Sequence, residues 1–165
     1  TEKVIHEVAP MQDPKEALTR NQDTYKPVAI FSAGLCELVN TTDDGRLLVN
    51  VHIDRRLQFI EDSQTLPFKI AHCRPYLDTI MSHEQAAEGA VIKDKIIHRL
   101  IAFSGGEPSV VERLESPEWA DKSAQDFSFD VFSIIQLDSH IQQAILEDRS
   151  ALSRLKQVLA VLNQR

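Results

Sequence analysis

The sequence is poor in the groups on which chemistry usually depends. It has only two cysteines, Cys36 and Cys73, and neither they nor the six histidines show the close Cys-x-x-Cys or His-x-x-x-His spacing of a structural zinc site. No G-x-x-x-x-G-K-[ST] phosphate loop is present. No apolar run approaches the ~20 residues of a membrane span, and nothing at the start resembles a signal peptide. Basic residues are outnumbered, 18 to 25, for a formal net charge of −7. The excess is even, −3 over residues 1–78 and −4 over residues 79–165, so there is neither a basic arm nor an acidic tail. Phosphate recognition needs concentrated lysine and arginine, and this balance argues against a nucleic-acid partner. Internal repeats and low-complexity tracts are missing as well.

What is present is a globular composition, 42% hydrophobic and 26% charged, long enough for one compact unit or two small ones with a real core. The chain reads as cytoplasmic. Each cysteine lies in an apolar strand pattern, where it acts as a small buried hydrophobe, and a reducing compartment leaves such thiols free, with a Cys36–Cys73 disulfide as the lesser alternative. The chain opens at Thr1 with a strand-like Lys3-Val4-Ile5-His6-Glu7-Val8. A polar stretch from Ala9 to Lys26 follows, in which Asp13 and Pro14 could start one helical turn over Pro14 to Leu18.

From Gly34 to Tyr76 the pattern is a β-meander. Thr42-Asp43-Asp44-Gly45 supplies a tight hairpin turn, with Leu35 to Asn40 before it. After it Val49, Val51 and Ile53 alternate with more polar neighbours and define a buried face. A third strand is expected around Leu57 to Ile60, then a polar break at Glu61 to Thr65. A fourth runs from Phe68 to Cys73, bracketed by Pro67 and Pro75 and therefore ending there or lying at an edge.

Beyond Asp78 the period becomes helical. Ser82-His83-Glu84-Gln85 has capping-box spacing, and the helix it starts places Ile92, Ile96, Leu100 and Phe103 on one stripe, with Ile97 and Ile101 beside it. Gly105-Gly106 stops that helix. Ser116-Pro117-Glu118 opens a short segment. Further helices are expected over Asp126 to Ile135, from Asp138-Ser139 to Leu146, and after Asp148 with Leu152, Leu155, Val158, Leu159 and Leu162. Strands followed by a helical bundle make an α+β chain with segregated halves.

No catalytic, cofactor-binding or metal residue emerges, and the binding residues are left open. His52 and His72 fall near Cys36 and Cys73 on strands but read as ordinary sheet residues. His6 lies in the opening strand, and His83, His98 and His140 read as helix surface or boundary. Ser104-Gly105-Gly106-Glu107-Pro108 is a helix stop rather than a phosphate cradle. The pairs Asp43-Asp44, Glu61-Asp62 and Glu147-Asp148 read as turn and cap residues. Arg55 and Arg56 are adjacent strand residues that point to opposite faces. Trp119 reads as a packing lid, with a binding anchor as the alternative.

Four segments in order, Gly34-Leu35-Cys36-Glu37-Leu38, Asp43-Asp44-Gly45-Arg46-Leu47-Leu48, Arg55-Arg56-Leu57 and Leu66-Pro67-Phe68-Lys69-Ile70-Ala71, resemble the LON substrate-binding domain, the N-terminal domain of ATP-dependent Lon proteases. Phe132-Ser133-Ile134-Ile135-Gln136-Leu137, Gln142 to Glu147 and Ser153-Arg154-Leu155 are similar to the helices that follow the barrel in that domain and in stand-alone bacterial relatives. The likeness runs from about Tyr25 onward. It departs from the family at Ile53, where glycine is usual, and at Leu57, where phenylalanine is usual. The family's first two or three strands precede the region matching Thr1, so the chain is truncated, preceded by a further segment, or closed differently. If those strands are absent, an open sheet edge and an apolar groove should be exposed, favouring homo-oligomer formation or strand exchange.

The resemblance implies a PUA-like β-barrel over residues 1–78 and a helical bundle over 79–165. It also implies a non-catalytic module that binds unfolded or partner polypeptide, with no ATPase or protease domain and no cofactor. Two alternatives stand beside it. LON barrels are similar to the RNA-recognising barrel of PUA domains, which the acidity disfavours, and a barrel scaffold can carry an enzyme, for which no nucleophile, base and oxyanion site assemble here.

Overall fold

The computed structural model describes residues 28–64 and 70–164. The expected strand over Lys3 to Val8, the stretch Ala9 to Lys26 with its helical turn, and the start of the fourth strand at Pro67 and Phe68 lie outside them. The chain divides into two compact units that adjoin in sequence at Leu77 and Asp78.

The first unit holds an antiparallel sheet of β1 (Ile30–Thr41), β2 (Leu47–Gln64) and β3 (Ile70–Pro75), in the order β1-β2-β3. The hairpin turn forms where the Asp-Gly pair demands it. Gly45 takes φ +82°, its amide donates to the Thr42 carbonyl at 2.9 Å, and the Thr42 amide donates to the Arg46 carbonyl at 2.8 Å.

Where separate second and third strands were expected, one 18-residue strand runs through. The register jumps from Ala33↔Arg55 to Gly34↔Ile53, which leaves Asp54 with no residue opposite it in β1. A bulge at Asp54 thus bends the strand instead of ending it. Gly34 sits at this bulge because a Cβ there would collide with the His52 carbonyl oxygen. Glu61 and Asp62 also belong to β2, opposite His72 and Ala71, and do not form a turn. Pro75 ends β3, an edge strand among the described residues, where its missing N–H costs no ladder bond to β2.

The second unit is helical: α1 (His83–Phe103), α2 (Pro108–Glu115), α3 (Pro117–Ala120), α4 (Ala124–Asp130) with a 3-10 turn over Val131–Ser133, α5 (Ser139–Glu147) and α6 (Ala151–Asn163). The capping box starts α1: the Gln85 amide donates to Ser82 Oγ at 3.2 Å and the Ser82 amide to Gln85 Oε1 at 2.9 Å. The α1 stripe is buried through Ile92, Ile96, Ile97 and Leu100, but Phe103 is exposed. The buried part ends one turn before the helix does. Gly105 and Gly106, at φ +68° and +76°, then lead the chain out of α1.

Helix α2 was not anticipated, although Pro108 stands at its first position. The segment expected as one helix from Asp126 to Ile135 starts earlier, because Ser123 caps it through the Asp126 amide at 3.1 Å, and it narrows to a 3-10 turn after Asp130. Ile92, Ile96, Leu100, Leu114, Trp119, Phe127, Val131, Ile145, Leu155 and Val158 belong to a single core in this unit. α1 approaches α4 so closely that a Cβ at Gly89 would lie 2.9 Å from that of Ala124.

One ion pair organises the interior of the helical unit. Arg154, fully buried on α6, donates to both carboxylate oxygens of Asp78 at 2.8 and 2.7 Å, to the Asp148 carbonyl at 2.9 Å and to Ser128 Oγ at 3.0 Å. Its guanidinium also lies 4.0 Å from the centre of the Phe129 ring. A buried charge is tolerated on such terms, with its counterion and hydrogen bonds in place. Nearby, Thr79 donates through its amide and its hydroxyl to the Arg149 carbonyl. Among the described residues no helix is long and apolar enough to cross a membrane.

Candidate protein-binding surface

Residues directly opposed in an antiparallel pair share a face. Leu38 opposes Val49, Cys36 opposes Val51 and Gly34 opposes Ile53, so the distal part of the β1–β2 hairpin presents Leu38, Cys36, Val49, Val51 and Ile53 together. This is the face that the Val49, Val51, Ile53 alternation marks for burial. In the structure Val49 and Val51 are only half-buried, while Leu38 and Ile53 are 62% and 51% exposed and Cys36 is exposed. The expected burial of Ile53 and Cys36 therefore fails, because alternation identifies an apolar face without identifying what covers it.

The opposite face carries Leu35, Glu37, Asn50 and His52, where His52 Nε2 lies 3.4 Å from Glu37 Oε2. Leu35 there is 71% exposed. Further along, Leu47, Leu48, Ile60 and Ile70 are exposed too. An apolar strand face such as that of Leu38, Cys36, Val49, Val51 and Ile53 commonly marks a contact site when it is left exposed. Covering one exposed leucine or isoleucine contributes about 1.5–3 kcal/mol.

Turn chemistry holds the tip of this surface. Asp44 accepts from the Thr42 hydroxyl, from the Arg46 amide at 3.3 Å and from Arg46 Nε at 3.0 Å. The Thr42 hydrogen bond first, then those from Arg46, hold its carboxyl below the usual value. Asp54, at the bulge, is paired at 2.6 Å with both Nε and Nη2 of Arg55, which lowers the Asp54 pKa and raises that of Arg55.

The remaining candidates fall apart as sites. Cys36 and Cys73 lie on β1 and β3 with β2 between them, opposite Val51 and Phe59. Two interstrand spacings of about 5 Å keep them beyond disulfide reach, and both are free. His52 and His72 lie beside separate acids, Glu37 at 3.4 Å and Glu61 at 3.8 Å. Among the described residues no three His, Cys, Asp or Glu side chains gather as a metal site. Arg55 is exposed, whereas Arg56 is buried with its guanidinium 5.1 Å from the Tyr76 ring centre. Trp119 is buried, edge-on to Phe127 at 5.7 Å, and packs as a lid.

His83, His98 and His140 are exposed. Asp148 is a capping residue, accepting from the Ser150 amide and from Gln157, both at 2.8 Å. Sequence reasoning passed over Arg154 and also Lys93, whose buried ammonium donates to the Ala120 and Lys122 carbonyls at 2.6 and 3.0 Å. Lys93 lies directly beside Ile92 of the apolar stripe, the one signal that pointed to it. No protein-family model matches the chain, and no curated protein matches it.

Proposed function

We propose that this chain is a non-catalytic protein-binding module of the LON substrate-binding type, in which the β1–β2–β3 sheet is part of a PUA-like barrel. Its exposed apolar sheet surface takes an extended segment of unfolded or partner polypeptide. The observation that carries this reading is the hairpin face of Leu38, Cys36, Val49, Val51 and Ile53, an apolar strand face on which Leu38 and Ile53 are more than half exposed and Cys36 is exposed. β1 and β3 each have a neighbour on one side only among the described residues, and an extended peptide recognises such an edge through main-chain hydrogen bonds. The net charge of −7 favours a polypeptide over RNA as occupant.

The test is retention of a permanently unfolded, reduced and alkylated protein by the immobilised chain, with ATP and peptide turnover assayed in parallel. Retention by the parent chain, its loss in the Leu38→Ser/Ile53→Ser double variant, and no turnover are the expected results. Background retention, or a variant that binds as well as the parent, overturns the reading. Salt-sensitive retention of RNA in place of polypeptide moves it to the PUA-like alternative.

A further inference from the structure

The helical unit carries a basic cleft that the protein-binding reading does not use. Lys95, His98 and Arg99 on α1, spaced i, i+3 and i+4 and so on one side of the helix, together with Leu159 and Asn163 on α6, line an open surface cleft of about 410 Å³. No carboxylate lines it. Elsewhere in this unit Lys93 is engaged by two carbonyls, Lys122 by Asp130 at 3.0 Å, Lys156 by Glu88 at 2.7 Å and Arg154 by Asp78, while Arg113 lies 6.0 Å from the centre of the Trp119 ring. Lys95, His98 and Arg99 form no hydrogen bond or ion pair among the described residues. Three unpaired basic groups on one cleft run against the acidity of residues 79–165.

We infer that this cleft binds a small phosphate-bearing molecule. Arg99 offers the planar fork that fits two phosphate oxygens, and Lys95 adds a point charge. His98 supplies ring nitrogens, Asn163 an amide, and the half-buried Leu159 an apolar floor for the organic portion. The volume falls in the range of small-ligand sites, about 300–1,000 Å³, and a lining of five residues on two helices suits a compact ligand better than a long acidic peptide. The same cations lie beside the C-terminal end of α6, whose dipole they also complement, so the test must separate binding from helix support.

Amide NMR of the intact chain titrated with inorganic pyrophosphate makes that separation. The expected result is saturable shifts confined to residues 95–99 and 159–163, weakened by salt and reduced at least about tenfold in affinity by Arg99→Gln. Lys156→Gln, outside the cleft, leaves them unchanged. Diffuse or unsaturable shifts overturn the inference, and so does Arg99→Gln binding as the parent does. A lower melting temperature in that variant without any parent binding assigns the cations to helix support alone, and a polyglutamate peptide binding more tightly than pyrophosphate assigns the cleft to an acidic protein.

Discussion

The two units use similar apolar residues to opposite ends. In the helical unit they converge, and Ile96, Phe127, Val131, Leu155 and Val158 are fully buried. In the sheet unit Leu35, Leu38, Leu47, Leu48, Ile53 and Ile60 are about half exposed or more, and Ile30 is the only described hydrophobic residue counted as buried. A helical stripe finds its second layer within the same unit. A sheet face needs a layer from elsewhere, and among the described residues of its own unit the distal hairpin face has no full one. Exposed apolar residues occur in the helical unit as well, at Ile80, Val91 and Phe103, but scattered singles of this kind are ordinary. The contrast is between a closed apolar interior in one unit and, among the described residues, an open apolar surface in the other.

The sharpest way to break that contrast is Arg154→Ala, which leaves the Asp78 carboxylate buried without its cation. It should cost about 3–5 kcal/mol, read by urea unfolding of the helical signal, with amide exchange in β1 and β2 little changed. Equal loss of protection in the sheet would mean that the two units share one stability. Next in size is a matched pair of truncations. Leu155→Ala should cost about 2–5 kcal/mol, while Leu38→Ser should change stability by no more than about 0.5 kcal/mol; comparable losses would show that the hairpin face is covered in solution.

Gly89→Ala tests how tightly the helical layer closes. The new methyl meets Ala124 at 2.9 Å, and overpacking of this kind costs about 1–3 kcal/mol. A neutral or raised melting temperature would reveal slack between α1 and α4. The smallest effect belongs to the hairpin turn. Asp44 has its folded pKa held below the ordinary value of 3.8, so its contribution is present above the unfolded value and fades as pH falls through the folded one. Carboxyl NMR should therefore give Asp44 a midpoint below 3.8, and Thr42→Val should move it upward. A midpoint that ignores this substitution would remove Thr42 as the cause.

Local signals were legible and distant ones were not. The Ser82 to Gln85 capping box, the Asp44-Gly45 turn and the leucine periodicity of α6 each involve residues within one or two turns, so spacing alone carries them. The continuity of β2 was hidden because a bulge has no compositional mark, and Asp54-Arg55-Arg56 looks the same whether a strand bends or ends. The exposure of Cys36 and Ile53 depends on whether another layer reaches their face, which alternation does not encode. Lys93 and Arg154 look like surface cations in sequence, since the carbonyls and the carboxylate that bury them come from other elements.

The Asp78–Arg154 pair spans 76 positions along the chain, and this separation governs how the helical unit is born. A polypeptide leaving the ribosome presents Asp78 first and must extend past Arg154 before that carboxylate meets its guanidinium. Until then α1 can form on its own capping box, but the interior that surrounds the pair has to stay open. Closing so long a loop is entropically costly and slow relative to local helix formation. Helix α6 therefore acts as the closing latch of the helical unit, and a nascent chain halted before it offers chaperones the core that this unit hides once folded.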